Sequence, residues 1–211
     1  MGDDGIAVLA FVEHPDDGWP WAVLDAGGGA SQLVDRLLEA SYADVTVVDI
    51  SEASLARVRD RLPENSPVRL IRADLLDWEP TRTFDVWHDR AVFHFLVDPA
   101  ARLRCTTLVA RSLRPGGALV LGSFEPQGPT TCSGLPTARY DPAGLNRVWT
   151  DGFVLEHAEQ EDHATPWGTT QQFTWALFRR RQSGQPFATS LRSLRLEQVT
   201  QAGARTVAGR C

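Results

Sequence analysis

Three consecutive glycines, Gly27, Gly28 and Gly29, lie in the segment AVLDAGGGASQLVDRLL, between a short apolar run and leucines at helical spacing. Glycines at such a junction let the main chain turn tightly and approach another group without an intervening Cβ atom. A strand, a glycine-rich turn and a helix form the first unit of open α/β sheets, which bind ligands beyond the carboxyl ends of their strands. We therefore expect an α/β fold with a ligand site at this loop. A tight turn that binds nothing is the alternative.

Apolar runs of strand length alternate with segments of helical spacing through the first 121 residues. The runs are residues 22–25, 45–49, 68–72, 84–87 and 118–121. This alternation is typical of crossover units around a parallel sheet, in which a helix follows each strand. Two later strand candidates, residues 153–157 and 171–180, are joined by a loop instead of a helix. We therefore expect these two to pair in antiparallel fashion at the end of the sheet.

The charged residues are unevenly distributed along the chain. Residues 1–79 contain 16 acidic and 6 basic side chains, a net charge of −10, whereas residues 80–211 contain 11 and 15, a net charge of +4. The acidic part includes the glycine loop, and a field of that sign repels phosphodiester backbones. We therefore expect no nucleic acid partner. Solvated helix faces are the simpler explanation of the asymmetry.

No apolar run approaches the roughly 20 residues that a membrane helix requires, and the start is acidic where a signal peptide is basic. We expect a cytoplasmic protein without a membrane partner. The cysteines Cys105, Cys132 and Cys211 are scattered and odd in number, which predicts free thiols. His88 and His94 lie six positions apart, a spacing that fits neither a helix face nor alternate strand positions. We expect no metal.

Two ligand classes compete for the glycine loop. The dinucleotide fingerprint G-x-G-x-x-G requires a third glycine where this chain has Gln32. The other pattern is acidic-x-G-x-G-x-G, with an acidic residue at the end of the second strand. Asp25, two of the glycines and Asp49 meet this pattern, and Ser31 takes the place of its last glycine. The spacing therefore favours the second pattern over dinucleotide binding.

Segments along most of the chain, from about Trp21 to Arg180, resemble the class I S-adenosylmethionine-dependent methyltransferases. VLDAGGGAS is similar to the first motif of that family, VTVVDIS to the second, IRADLLDW to the third and LRPGGALVL to the approach to the fifth strand. WHDRAVFHFL and CSGLPTARY resemble segments of a group of small bacterial methyltransferases, and there is a more distant similarity to methyltransferase-like lysine methyltransferases. The resemblance implies a Rossmann-like, seven-stranded, mostly parallel sheet with helices on both faces and an antiparallel C-terminal hairpin.

The resemblance also implies which residues bind S-adenosyl-L-methionine. The implied set is Asp25, Gly27, Gly28, Gly29, Asp49, Ile50, Asp74, Leu75 and His88. Asp25 and the glycines would border the methionine part, and Asp49 would accept hydrogen bonds from both ribose hydroxyls. Asp74 would accept one from the adenine amino group, with Ile50 and Leu75 on the two sides of the ring. Capping or turn positions are the alternative for Asp49 and Asp74.

Methyl transfer from a sulfonium is an in-line displacement with a neutral leaving group, so the enzyme orients the reactants and removes a proton where required. His88 is the candidate base because an imidazole titrates near neutrality; capping a helix or stacking on adenine is the alternative. Arg90 and Arg139 are candidates for binding an anionic group of the acceptor, with His94 and His163 as further acceptor residues. The alternatives are surface ion pairs for the arginines and a packed core position for His94.

We divide the chain into an atypical N-terminal segment (residues 1–20), a methyltransferase domain (21–180) and a basic tail expected to be poorly ordered (181–211). The expected function is methyl transfer to a small-molecule acceptor. A protein lysine methyltransferase, with a protein substrate, is one alternative. The other is a binding module that keeps the fold without catalysis, because residues 1–20 match poorly the aromatic-rich segment with which the bacterial group usually begins.

Overall fold

The computed structural model describes residues 21–182, apart from 165–167 and 169. In chain order the strands are β1 (Ala22–Ala26), β2 (Asp44–Asp49), β3 (Arg69–Arg72), β4 (Phe84–Arg90), β5 (Leu113–Phe124), β6 (Thr131–Cys132), β7 (Leu135–Pro136), β8 (Phe153–Ala164) and β9 (Thr170–Arg180). The α-helices of these ranges are α1 (Leu33–Glu39), α2 (Glu52–Arg61), α3 (Pro99–Ser112) and α4 (Pro142–Trp149). Short 3-10 helices span Gly28–Ala30 and Phe93–Phe95.

Seven strands form the main sheet in the order β3-β2-β1-β4-β5-β9-β8, and β6 and β7 form a separate small hairpin. The first five strands of that order are parallel, whereas β9 is antiparallel to both β5 and β8. The predicted α/β fold and its antiparallel C-terminal pair are confirmed. Strand order reverses between β1 and β4, because the chain returns from β3 to the opposite side of β1. In open α/β sheets the crevice at this reversal is where ligands bind.

Apolar side chains cover both faces of the sheet. Leu24 packs in a cluster that contains Leu108 of α3. Its neighbour Val23 packs in a second cluster with Leu33 of α1 and Leu55 of α2. Successive residues of a strand point to opposite faces, so helices lie on both sides of the sheet, as predicted. We call these the α3 face and the α1 face.

Local capping residues start three of the helices. Ser51, Asp98 and Asp141 each accept, through a side-chain oxygen, the backbone N–H of the residue three positions later. Pro99 and Pro142 follow two of these caps, where a helix has no use for the missing N–H. The residues directly before each of these helices therefore determine where it begins.

Two strands are longer in the structure than the sequence analysis predicted. β4 continues to Arg90, so His88, Asp89 and Arg90 are strand residues and do not follow the strand as expected. The sheet holds these polar residues because His88 and Asp89 have buried hydrogen-bond partners. β8 continues to Ala164, because its pairing with β9 extends to Thr170, and His163 therefore lies in a strand and not in the hairpin loop.

The predicted N-terminal segment (1–20), most of the predicted tail (183–211) and Cys211 lie outside the described residues. Cys105 and Cys132 are free thiols. Within the described ranges, no helix is both long and apolar enough to cross a membrane. Those ranges also bring together no group of three or more His, Cys, Asp and Glu side chains that could hold a metal ion.

Candidate functional site

The glycine loop after β1 has no room for side chains. A Cβ atom at Gly28 would lie 2.0 Å from Asp25 Oδ2, and one at Gly29 would lie 2.7 Å from Asp49 Oδ2. Gly27 has a φ of +72°, and a Cβ atom there would lie 2.1 Å from a methyl carbon of Val92. The loop backbone is therefore packed directly on two carboxylates, which explains why three glycines occur in a row.

Asp49, at the end of β2, holds the loop from the neighbouring strand. Its Oδ2 accepts the backbone N–H of Gly29 at 2.9 Å, and its Oδ1 accepts that of Ser51 at 2.7 Å. Ser51 in turn caps α2 through the N–H of Ser54. One carboxylate thus connects the glycine loop to the start of α2.

Asp25 and His88 form a buried pair across β1 and β4, where they are register partners. Asp25 Oδ1 and His88 Nδ1 are 2.7 Å apart, and both side chains are 2% exposed. The His88 ring stacks on Trp175 of β9 at a centroid distance of 6.0 Å. Within the described part of the chain, neither Asp25 Oδ2 nor His88 Nε2 has a hydrogen-bond partner. The two residues were predicted to be site residues, but their pairing was not foreseen.

The residues expected at the adenine ring lie at the ends of β2 and β3. Ile50 follows β2 with 66% of its surface exposed, which is unusual for a large apolar side chain. The main chain of Ala73 donates to the carbonyl of Asp49 at 3.1 Å and so brings the segment after β3 beside β2. Asp74 in this segment is exposed, and its Oδ1 accepts the N–H of Leu76 at 2.9 Å. Leu75 is buried.

Asp89 is a residue of this region for which the sequence analysis gave no role. It is 1% exposed, and its carboxylate accepts the backbone N–H groups of Val92 and Phe93. These bonds fix the turn that places Val92 against Gly27. An aspartate followed three residues later by a short turn is a known capping signal, and it is the signal that could have revealed this role.

Three of the four predicted acceptor residues gather around two phenylalanines near the carboxyl end of β5. The guanidinium carbon of Arg90 lies 5.3 Å from the ring centroid of Phe173. His163 meets Phe173 edge-on at 6.2 Å. His94 is fully buried, with its ring centroid 4.5 Å from that of Phe124. Phe124 and Phe173 are register partners on β5 and β9, 4.9 Å apart, and this long-range pairing is why the sequence analysis missed them.

Arg139, the fourth predicted acceptor residue, does not fit the expected buried anion-binding arginine. Its side chain is exposed, and its Nη1 donates to the carbonyl oxygens of Pro126 and Gly128 at 2.8 and 3.4 Å. The arginine therefore holds the turn that follows β5. The prediction of an anionic acceptor now depends on Arg90.

Asp89 and His94 have pKa values shifted by burial in opposite directions. Burial raises the pKa of Asp89 to about 6, although the N–H groups of Val92 and Phe93 oppose the rise. Burial lowers the pKa of His94 to about 4. In an unfolded chain the pKa values of aspartate and histidine side chains are about 3.9 and about 6.5. The stability contributed by Asp89 is therefore present at low pH and lost as the pH rises through 6, whereas that of His94 is lost as the pH falls from ~6.5 towards 4.

We expect Asp89→Asn and His94→Phe to change the pH dependence of the unfolding free energy in opposite directions. Relative to the wild type, the Asp89→Asn chain should gain stability as the pH rises from 4 to 6, because an amide still accepts hydrogen bonds without a charge. The His94→Phe chain should gain relative stability as the pH falls through the same range. Each change is on the order of 2–3 kcal/mol. Urea unfolding at several pH values measures both, and curves parallel to the wild type would contradict the burial of these charges.

Residues 23–117 match the family model described as a methyltransferase domain. A curated protein similar to this chain is nodulation protein S of Sinorhizobium fredii, which is 31% identical over 101 residues. The match covers 47% of this chain and 46% of that protein, so the chain spans about half the length of the curated relatives that it matches.

Solved methyltransferases share the fold. The N-methyltransferase NodS from Bradyrhizobium japonicum WM9, in complex with S-adenosyl-L-homocysteine, superposes with a TM-score of 0.62 and 20% identity over 77% of this chain and 79% of that one. The Burkholderia thailandensis 1,6-didemethyltoxoflavin-N1-methyltransferase, with bound 1,6-didemethyltoxoflavin and S-adenosylhomocysteine, gives a TM-score of 0.66 and 22% identity over 78% and 73%. The main sheet therefore has the Rossmann-like fold of these solved methyltransferases, which is the fold that the sequence resemblance implied.

Proposed function

We propose that this protein transfers a methyl group from S-adenosyl-L-methionine to a small-molecule acceptor. The observation that carries the proposal is the glycine loop, packed without side chains on the carboxylates of Asp25 and Asp49 where the strand order reverses. Solved methyltransferases with the same fold hold S-adenosylhomocysteine, and one of them also holds 1,6-didemethyltoxoflavin. Both findings support a cofactor at this loop and a small acceptor beside it.

The residues of the loop fit the chemistry of this cofactor. Asp25 Oδ2 is a buried acceptor without a hydrogen-bond partner among the described residues, and it suits the ammonium group of the methionine part. Each oxygen of Asp49 accepts one backbone N–H and keeps acceptor capacity for a ribose hydroxyl. The exposed Ile50 offers an apolar surface for the adenine ring, and Asp74 lies in the adjacent segment as an acceptor for its amino group.

The chain would contribute orientation and exclusion of water. When bound, the cofactor supplies an electrophilic methyl group on a sulfonium. Asp49 holds Gly29 by a hydrogen bond, Asp25 packs against Gly28, and Asp89 fixes the turn that contacts Gly27. Near the carboxyl end of β5 the buried rings of Phe124 and Phe173 lie beside His94, Arg90 and His163. A methyl acceptor held beside this group would be aligned with the cofactor, and alignment is a main requirement of a displacement at carbon.

Binding to cofactors tests the proposal directly. We expect the purified chain to bind S-adenosylhomocysteine in calorimetric titration and to give no heat with NAD or NADP. The reason is that Gln32, an exposed residue at the start of α1, stands where dinucleotide-binding folds use a glycine for close packing. Tight binding of NAD without binding of S-adenosylhomocysteine would overturn the proposal.

Transfer of a labelled methyl group then separates an enzyme from a binding module. The chain is incubated with labelled S-adenosylmethionine and a small-molecule extract, and in parallel with a protein extract. Label in the small-molecule fraction supports the proposal. Label in protein alone would favour a protein methyltransferase, and binding of the cofactor without transfer to either fraction would favour a module without catalysis.

A further inference from the structure

We propose that His88 is a positioning residue that acts through Asp25, and that it is not the base that removes a proton from the acceptor. Its role is to hold the Asp25 carboxylate beneath the glycine loop, and Trp175 supports it from the opposite side. This inference rests on the proposed function, since it assigns these residues to cofactor binding. It also replaces the catalytic role that the sequence alone indicated for His88.

The geometry links His88 to the loop through a single carboxylate. Asp25 Oδ1 lies 2.7 Å from His88 Nδ1, and Asp25 Oδ2 lies 2.0 Å from the position that a Cβ atom of Gly28 would take. A carboxylate oxygen accepts hydrogen bonds and an imidazole N–H donates them, so we assign the Nδ1–H group of His88 as the donor. With one oxygen held in this way, the orientation of the second oxygen under Gly28 is determined. Without the donor, the buried carboxylate loses the partner that fixes its orientation.

The environment of the second ring nitrogen disfavours a role as base. A general base must come within about 3 Å of the proton that it accepts, directly or through one water molecule. His88 is 2% exposed, and its Nε2 is buried with no hydrogen-bond partner in the described residues. Its ring face is covered by Trp175, with 20° between the two ring planes. The ring is therefore held between Asp25 and Trp175, an arrangement that suits support of the carboxylate better than removal of a proton from the methyl acceptor.

Trp175 supports His88 from β9, and its own position is closely defined. Its Nε1 donates to Glu161 Oε2 of β8 at 2.5 Å. Gly122 of β5 lies against the ring, since a Cβ atom there would be 2.9 Å from two ring carbons. The indole thus fits between β8 and His88 only because residue 122 has no side chain. Strands β8 and β9 thus support the Asp25 carboxylate through Trp175 and His88, although β4 and β5 lie between them and β1.

A matched pair of substitutions at His88 tests the proposal. In His88→Asn the amide nitrogen is bonded to Cγ, as Nδ1 is, and still donates to Asp25, whereas His88→Leu fills the space without a donor. In the ligand-free chain, we expect hydrogen exchange of the loop peptide 26–32 to accelerate about tenfold in His88→Leu and to change less than about threefold in His88→Asn. The affinity for S-adenosylhomocysteine should follow the same order, and turnover should be rescued by asparagine.

Other outcomes decide against the proposal. If both variants keep wild-type exchange and affinity but lose methyl transfer equally, His88 is the base. If both variants loosen the loop equally, the hydrogen bond to Asp25 is not what holds it. A wild-type chain that binds no S-adenosylhomocysteine would overturn the proposed function, while the exchange measurement on the ligand-free chain would still decide the role of His88.

Two further variants test the support from Trp175. Gly122→Ala pushes the indole from its site, and we expect it to raise exchange in the same loop peptide and to weaken S-adenosylhomocysteine binding by about fivefold or more. Trp149→Phe is the control, because Trp149 is equally buried but packs with Phe153 and Phe178 in the cluster on the α3 face. It should lower the melting temperature without changing the loop. If Gly122→Ala and Trp149→Phe affect the loop equally, Trp175 contributes only to core packing and does not specifically support His88.

Discussion

A Gly28→Ala chain is expected to lose about a hundredfold in affinity for S-adenosylhomocysteine. The added methyl group would stand 2.0 Å from Asp25 Oδ2 and 2.4 Å from its Cγ, far inside van der Waals contact. Asp25 cannot move away cheaply, because it is 1% exposed and hydrogen bonded to His88. The loop must therefore lift from the carboxylate on which it packs. Calorimetric titration measures the affinity, and circular dichroism shows whether the fold is retained.

Gly134→Ala is a suitable control for this substitution. Gly134 lies in the turn between β6 and β7 with a φ of +79°, and no described atom lies within 4 Å of a Cβ atom built there. The cost is therefore conformational and not steric, about 1 kcal/mol in stability, with no change in ligand affinity. Wild-type affinity in the Gly28→Ala chain would show that Asp25 does not lie under the loop.

The second large effect is expected for Asp49→Ala, which should weaken S-adenosylhomocysteine binding by at least tenfold. The substitution removes the acceptor for the N–H groups of Gly29 and Ser51 as well as the proposed acceptor for two ribose hydroxyls. A hydrogen bond to a charged group contributes roughly 1.5–3 kcal/mol before water compensates, so the loss of two ligand contacts alone accounts for a tenfold effect. Calorimetry measures the affinity, and thermal unfolding measures the accompanying loss of stability.

Asp49→Asn separates the two roles of this carboxylate. The amide keeps one acceptor oxygen and loses the charge, so we expect an affinity between those of the wild type and the Asp49→Ala chain. Asp74→Ala serves as a comparison, since it removes the proposed acceptor for the adenine amino group and, within the described residues, only the bond from the N–H of Leu76 to Oδ1; we expect a smaller loss of affinity than in Asp49→Ala. Unchanged affinity in Asp49→Ala would mean that the ribose binds elsewhere.

Features that depend on neighbouring residues were predictable from the sequence. The alternation of strand and helix patterns predicted the parallel sheet, because each element buries a face with its own period. The positions of Asp25 and Asp49 at strand ends were also predictable, since each carboxylate lies within a few residues of an apolar run. The glycine loop was predictable because the three residues that leave its backbone without side chains are adjacent in the sequence.

Features that depend on contacts between distant segments were visible only in the folded chain. Asp25 and His88 are 63 positions apart, and no local pattern distinguishes a histidine that holds a carboxylate from one that accepts a proton. Phe124 and Phe173 meet because β5 and β9 pair in a particular register. The end of β4 was misjudged because buried partners for His88 and Asp89 allow polar residues to continue a strand. A sequence pattern thus indicates which residues are suited to burial or to turns. It does not indicate which group will bond to a buried polar side chain, because that partner is determined by the packing of strands that lie far apart in the chain.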